Sequence, residues 1–360
     1  MERPLPPYSI NLPLLRPFIR LGSLVMCLYL VALVDASEFG SPLQLSYTSR
    51  VVAVSDPRAV ERFSPDAEVV YQMFNRLLLA YAKKDNLPAA WSEFVTPSDV
   101  VGIKVLSDPG SVSGTRPAVV EAIIRSLIST GFPKDRIIIW DRRKGVLVAT
   151  GYDQIAKRLG VSIAGSSDFG YDPDKFYETA LVGNLVFGDH EFGQDGKGIA
   201  RKSFVSKLLS QKLTRIIQVH PMLNHYLGGV NGQIIGLATG GVDNSLRFTL
   251  DASRYHQAIP EICAMPELYD KLALNVVDAL ICQYQGEERG FLQYSSMMEE
   301  LRMSADPVAL DVLSFLEINR HRKRAGLEEN TSSMQLYQNA ALLELGESDP
   351  SKILFERIAN

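Results

Sequence analysis

One stretch limits the fold more than any other. Residues 100–106 (VVGIKVL) form a nearly continuous apolar run broken by Gly102 and Lys104. A Gly/Ser/Pro-rich segment follows, and then Pro117 opens a pattern with Val119, Val120, Ile123, Ile124, Leu127 and Ile128 at helical spacing. Gly131 ends that pattern, and residues 136–140 (RIIIW) read as the next strand. Continuous apolar strands around an amphipathic helix imply strands covered on both faces, paired in parallel by a right-handed crossover. Both strand ends then point to one edge of the sheet, which carries Asp108, Asp141 and Arg142. The fold class expected is α/β: a layered parallel or mixed sheet with helices on both faces.

Other segments extend this frame. Residues 50–54 read as a strand and 67–84 as a helix opened by Pro65 and Asp66. Residues 151–159 read as a helix, 161–164 as a strand and 204–213 as a short helix. Residues 272–277 suggest a strand ending at Asp278, with part of a helix as the alternative. Asp306 and Pro307 start a helix with a basic end, and 334–345 and 352–358 give a last helix and strand. From 165 to 200 the pattern dissolves into an irregular insertion, either a surface excursion or a small β unit.

The N-terminus differs. Arg16 and Arg20 precede an uncharged run over 21–34 that Asp35 closes. About fourteen residues is short of the roughly 20 that a spanning helix needs. The run suits a secretory signal (1–36), cut after Ala36, with a membrane anchor as the alternative. Residues 37–49 then read as a lead-in and 50–360 as a single domain. The expected location is exported, periplasmic or extracellular.

A net charge of -4 without a basic run argues against nucleic acid as a partner. A membrane partner is expected only through the N-terminal segment. Cys263 and Cys282 allow one disulfide or two free buried thiols. No C-x-x-C exists, so no iron–sulfur cluster is expected.

Candidate chemistry gathers past the apolar run 216–219. His220 and His225 follow it, and a glycine-punctuated stretch leads to Asn231, Asp243 and Asn244. Polar groups just past an α/β strand are where ligands bind in such folds. His220 and His225 are candidate metal ligands, although no H-E-x-x-H is present. The alternative for each is a turn histidine bonded to local backbone. His190 reads as such a turn residue, and His321 as part of a solvated helix end. The loop 107–115, with Thr115 near its end, could cradle an anion at the following helix N-terminus or be an ordinary capped loop. The glycines 228–241 admit either a close ligand or close helix packing. Asp306 reads as a cap and Asp311 as an exposed first-turn carboxylate.

The motifs VGIKV, PAVVEAIIRSLISTGF, RIIIWDR, NHYLGGVNG, ALNVVDAL, SADPVALDVLS and YQNAALLELG, in this order, resemble the domain-of-unknown-function 362 family over about residues 50–358. The resemblance implies an α/β protein of unsettled biochemical role, in which some relatives are exported or carry ferredoxin-like cysteine modules. This chain has no such module. The family pattern also implies lysines just before the histidine matched by His225 and in the helix after the glycines; here Leu223 and Ile235 stand there. Lys104, Asp141, Arg142, His225, Asp243, Asn244 and Asp306 match.

The site expected is one sheet edge. Lys104, Asp141 and His225 are its catalytic candidates, and Asp108, Thr115, Arg142, Asn231, Asp243 and Asn244 its substrate contacts. Three functions follow: an enzyme acting on a small anionic substrate with a divalent metal as the one cofactor considered, a non-catalytic small-molecule or metal-binding protein, or a structural envelope protein with a vestigial cleft.

Overall fold

Apolar runs too long to leave one face wet build the centre of the molecule. The computed structural model describes residues 48–358 apart from 195, 197, 288 and 332. The signal segment expected over 1–36 and nearly all of the lead-in lie outside the described residues. Among the described residues no helix is long and apolar enough to cross a membrane.

The first strand, β1 (Ser49–Ser55), is followed by a two-stranded clip, β2 (Val60–Glu61) and β3 (Ser64–Pro65). Then come β4 (Val101–Val105), β5 (Ile137–Asp141) and β6 (Ser162–Gly165). An antiparallel ribbon, β7 (Tyr171–Asn184) with β8 (Ile199–Ser206), fills the irregular stretch. Last are β9 (Arg215–His225), the short β10 (Gly229–Val230), β11 (Leu272–Gln283), β12 (Ser295–Ser304) and β13 (Ile353–Ile358). The main sheet runs β13-β1-β12-β11-β9-β4-β5-β6, with β10 hung on β9. Strands β11, β9, β4, β5 and β6 pair in parallel; β12 pairs antiparallel to both β1 and β11. The sheet is therefore mixed.

Helices cover both faces. Ala67–Ala82, Pro117–Ser129 and Tyr152–Leu159 pack one core with Ile103, Ile139 and Val219. Gln233–Gly241, Ala252–Cys263, Pro307–Arg324 and Met334–Leu342 pack the other with Trp140 and Ile216. The alternation of Ile139 and Trp140 between cores is the period of two that a doubly covered strand imposes. Cys263 and Cys282 are free, buried thiols.

Three local expectations change. Residues 204–206 belong to β8, and only Leu208–Lys212 make a helical turn, one of π type. Strand β9 does not stop at His220: its pairing to β11 continues to Leu223, and β10 turns back on His225 and Asn224. Strand β11 likewise runs past Asp278 to Gln283.

Candidate functional site

Lys104 lies in β4 and Asp141 at the end of β5, in neighbouring parallel strands. The Lys104 ammonium donates to Asp141 Oδ1 at 2.8 Å and to the Val105 carbonyl at 2.6 Å. Only 1% of the lysine is exposed, so this is a buried pair. The geometry that makes such a pair tolerable is present. Asp141 also accepts from Arg142 N (2.8 Å), Ser107 N (2.8 Å) and Ser107 Oγ (2.6 Å). Burial pushes the Asp141 carboxyl up, but the Lys104 charge and these hydrogen bonds outweigh it and hold the group below its ordinary range.

Arg142, one residue on, is placed differently. Its guanidinium reaches Ser245 Oγ at 3.2 Å and Asp189 Oδ1 at 3.4 Å, both long for charged hydrogen bonds. Among the described residues no group meets the buried Tyr171 hydroxyl with good hydrogen-bond geometry, although Arg142 lies close enough to act on it. Burial raises its pKa, against the pull of the Arg142 charge.

These groups line a cleft of about 310 Å³. Lys104, Asp108, Asp141, Arg142, His225 and Asn231 all lie in its wall, so segments distant in sequence do meet at one rim of the sheet. Ile235 lines it too, at the position where the family pattern implies a lysine. Arg143 pairs with Asp108 at 2.5 Å. Asn231 is buried, and its carboxamide has no partner among the described residues.

His225 sits where β9 turns into β10 and stacks on Tyr255, with ring centroids 5.6 Å apart. Its Nδ1 accepts from Gly228 N at 3.0 Å and Leu227 N at 3.3 Å. A neutral ring in that arrangement carries its hydrogen on Nε2. Burial lowers its pKa to about 4, so the ring is a neutral donor at physiological pH. A metal on Nε2 would have to displace that hydrogen, and a second proton would have to go to Nδ1, whose lone pair the two backbone N–H groups already occupy.

Four expected contacts belong elsewhere. His220 does not line the cleft: it is buried under the Gln233–Gly241 helix, and a Cβ on Gly236 would sit 1.8 Å from its Cε1. Neither of its ring nitrogens has a partner among the described residues, and burial, then the Lys104 charge, hold its pKa well below normal. Thr115 is spent on the frame, donating to Val219 O at 2.7 Å and accepting from Leu106 N at 2.9 Å. Asp243 accepts from His190 N at 2.6 Å and Phe204 N at 2.5 Å, which ties the segment after the Gln233–Gly241 helix to β8 and to the loop beyond β7. Asn244 does the same through Lys202 O at 2.9 Å. Among the described residues no three His, Cys, Asp or Glu side chains gather in a group able to hold a metal ion.

The loop 107–115 also turns inward. Ser107 serves Asp141, Ser113 bonds Gln283, and the helix N-terminus at Pro117 meets the protein's own carboxylate: Asp278 accepts from Arg116 N at 2.8 Å and pairs with its guanidinium at 3.0 Å. Only Asp108 of that loop faces the cleft together with Leu106 before it. Gly240 is a packing glycine, since a Cβ there would lie 2.3 Å from Lys104 Cε. Asp306 caps Ala309 N at 2.8 Å. Asp311 is buried rather than exposed; it caps the Gln233–Gly241 helix through Gln233 N (2.8 Å) and Ile234 N (3.0 Å). His321 stacks on Tyr284 at 6.0 Å and is mostly covered.

Sequence reasoning missed the far wall of the cleft: Ser167, Tyr171, Val186, Phe187 and Asp189 from the 165–200 stretch, and Ser245 and Leu246 after the glycines. The only sequence signal was the Asp189-His190-Glu191 triplet, which drew notice for its histidine; the aspartate is the residue that reaches Arg142.

Comparison with known proteins adds little. No family model matches the chain, and no curated protein matches it. A solved structure of a Thermotoga maritima protein from a structural genomics consortium is similar at 12% identity and a TM-score of 0.39. The match covers 74% of this chain and 61% of that one.

Proposed function

We propose that the protein is a non-catalytic binder of a small anionic molecule, held in the cleft beside Arg142. The observation that carries this is the contrast in how the cleft's polar groups are occupied. The carboxylate and imidazole that would move protons are engaged: Asp141 accepts four hydrogen bonds, and His225 Nδ1 accepts two. The groups that would hold an anion are less committed. Arg142 meets Ser245 and Asp189 at 3.2 and 3.4 Å, and Asn231 and the neutral His225 ring line the same wall. A cleft of about 310 Å³ lies at the small end of ligand sites. The enzyme reading needs a free base that none of these residues supplies. On the N-terminal pattern alone, we propose that the working form is exported and lacks residues 1–36.

The test is a thermal-shift panel of small carboxylates, phosphate and sulfate on the mature protein and on Arg142→Gln. A ligand at about 100 times its Kd stabilises by about 2.7 kcal/mol. At least one anion should raise the Tm of the wild type, and Arg142→Gln should lose most of that rise. A panel that moves neither protein, or moves both equally, overturns the reading.

A further inference from the structure

The cleft is charged at its floor and apolar at its mouth. Its lining includes Lys104, Asp141 and Arg142, but also Val186, Phe187 and Leu246. Those three are unusually exposed for large hydrophobic side chains: Phe187 is 92% and Leu246 51% accessible, and Val186 is exposed as well. They come from two separate segments. Val186 and Phe187 follow β7, and Leu246 lies in the turn after the Gln233–Gly241 helix. Phe187 meets Phe192 edge-on at 6.0 Å, so the apolar surface continues beyond the rim on that side. Leu250, 95% accessible, follows within the same turn as Leu246. Single exposed apolar residues are ordinary, whereas apolar residues gathered around a polar cleft mark a place where something apolar rests.

We propose that the ligand is an amphiphilic anion: a carboxylate or phosphate head beside Arg142, continued by an apolar tail that leaves the cleft across Val186, Phe187 and Leu246. This rests on the anion-binding reading above and specifies its ligand class. The chemistry follows from the layout. The wall around the head includes the Arg142 guanidinium together with Asn231 and His225. The cleft of about 310 Å³ has room for the head and the first part of a tail, whose remainder runs over the rim. Covering Phe187 and Leu246 removes apolar surface from water on both partners at once.

The experiment is calorimetric titration of the mature protein with acetate, butanoate, hexanoate and octanoate. Inorganic phosphate, octyl phosphate and 1-octanol serve as further arms, each below the concentration at which it self-associates. Affinity should rise about two- to fourfold per added methylene, the value expected for part to full burial of each group. Phe187→Ser and Leu246→Ser change exposed positions and should keep the fold. They should flatten the series while leaving acetate or phosphate binding as it is. Carboxylate against phosphate arms identify the head. A series that is flat in the wild type, with the short anions still bound, overturns the tail and leaves the anion reading standing. Binding of none of the anions defeats both. Octanol binding as tightly as octanoate overturns the amphiphile, because the head would then contribute nothing. So does a wild-type dimer in sedimentation that Phe187→Ser makes monomeric while the series stays flat, since the rim would then serve self-association.

Discussion

Asp141 and Arg142 are neighbours in the chain, leave the same strand and face the same cleft, yet their surroundings are opposite. Asp141 is buried with four hydrogen bonds on its two oxygens, one of them from the Lys104 ammonium. Arg142 is about one-fifth exposed and touches its partners at 3.2 and 3.4 Å. The number and length of the hydrogen bonds, rather than charge itself, separates a group that holds the sheet together from one that can take a ligand. A charge saturated inside the protein has nothing left to offer, whereas a loosely held one still has most of its interaction energy to give.

The largest expected effect breaks the saturated side. Lys104→Met leaves Asp141 buried without its cation and should destabilise the fold by about 3–5 kcal/mol, measured by chemical denaturation. A loss below about 1 kcal/mol would mean that the pair is solvated and that the contrast with Arg142 is false.

A second carboxylate sharpens the role of donor count. Asp311 is buried like Asp141 but receives only two backbone N–H groups and no cation, and burial lifts its pKa to about 7. Asp243, also held by two N–H groups, is lifted to about 7 as well. The folded state therefore keeps protons that the unfolded chain releases near pH 4. Their stabilising contribution is full below pH 4 and is lost as pH rises through 7. A lift of about three pH units is worth at most about 4 kcal/mol per group. Stability measured from pH 4 to 8 should fall across that window, and Asp311→Asn should reduce the slope. A slope unchanged in the variant would show that the Asp311 carboxyl ionises freely in the fold.

How much of this was readable in the sequence follows the same division. The crossover unit around Pro117–Ser129 was legible, because continuous apolar strands and a one-sided helix leave few arrangements. Strand β12 was not, since Glu299, Glu300 and Arg302 break its apolar pattern; only the fold shows that Glu300 and Arg302 pair with each other at 2.5 Å and bury together. The near wall of the cleft came from strand ends, where period and position are linked. The far wall came from a ribbon and loops whose period is weak, so Asp189 and Phe187 carried no positional signal. Thr115 and His220 had the right chemistry at the right level of the sheet but point into packing, which a sequence does not specify. Asp311 shows the same limit: Gly232, where a Cβ would fall 2.0 Å from its Oδ1, is what admits the carboxylate to the helix end.

The helix over the sheet gives a smaller effect. Gly236→Ala would push a methyl group into the His220 ring and should cost about 1–3 kcal/mol, read from the denaturation midpoint. The same substitution should leave anion binding at Arg142 unchanged, because His220 lies outside the cleft. Loss of binding without loss of stability would return His220 to the site.

The smallest change in stability should come from Arg142→Gln, and it is the most informative. The guanidinium's two contacts are long, and the buried Asp189 keeps the N–H groups of Val186 and Asn244 when the cation is removed, so the loss of stability should stay at about 1 kcal/mol or less, well below that of Lys104→Met. Any anion that stabilises the wild type should bind at least about tenfold more weakly, since a charge-assisted hydrogen bond is worth about 1.5–3 kcal/mol. Asp141→Asn, one residue away, should do the reverse: cost stability first, and affect binding only through the misplaced lysine. If instead both variants lose stability alike, Arg142 is as much a part of the frame as Asp141, and the cleft has no loosely held charge with which to bind an anion.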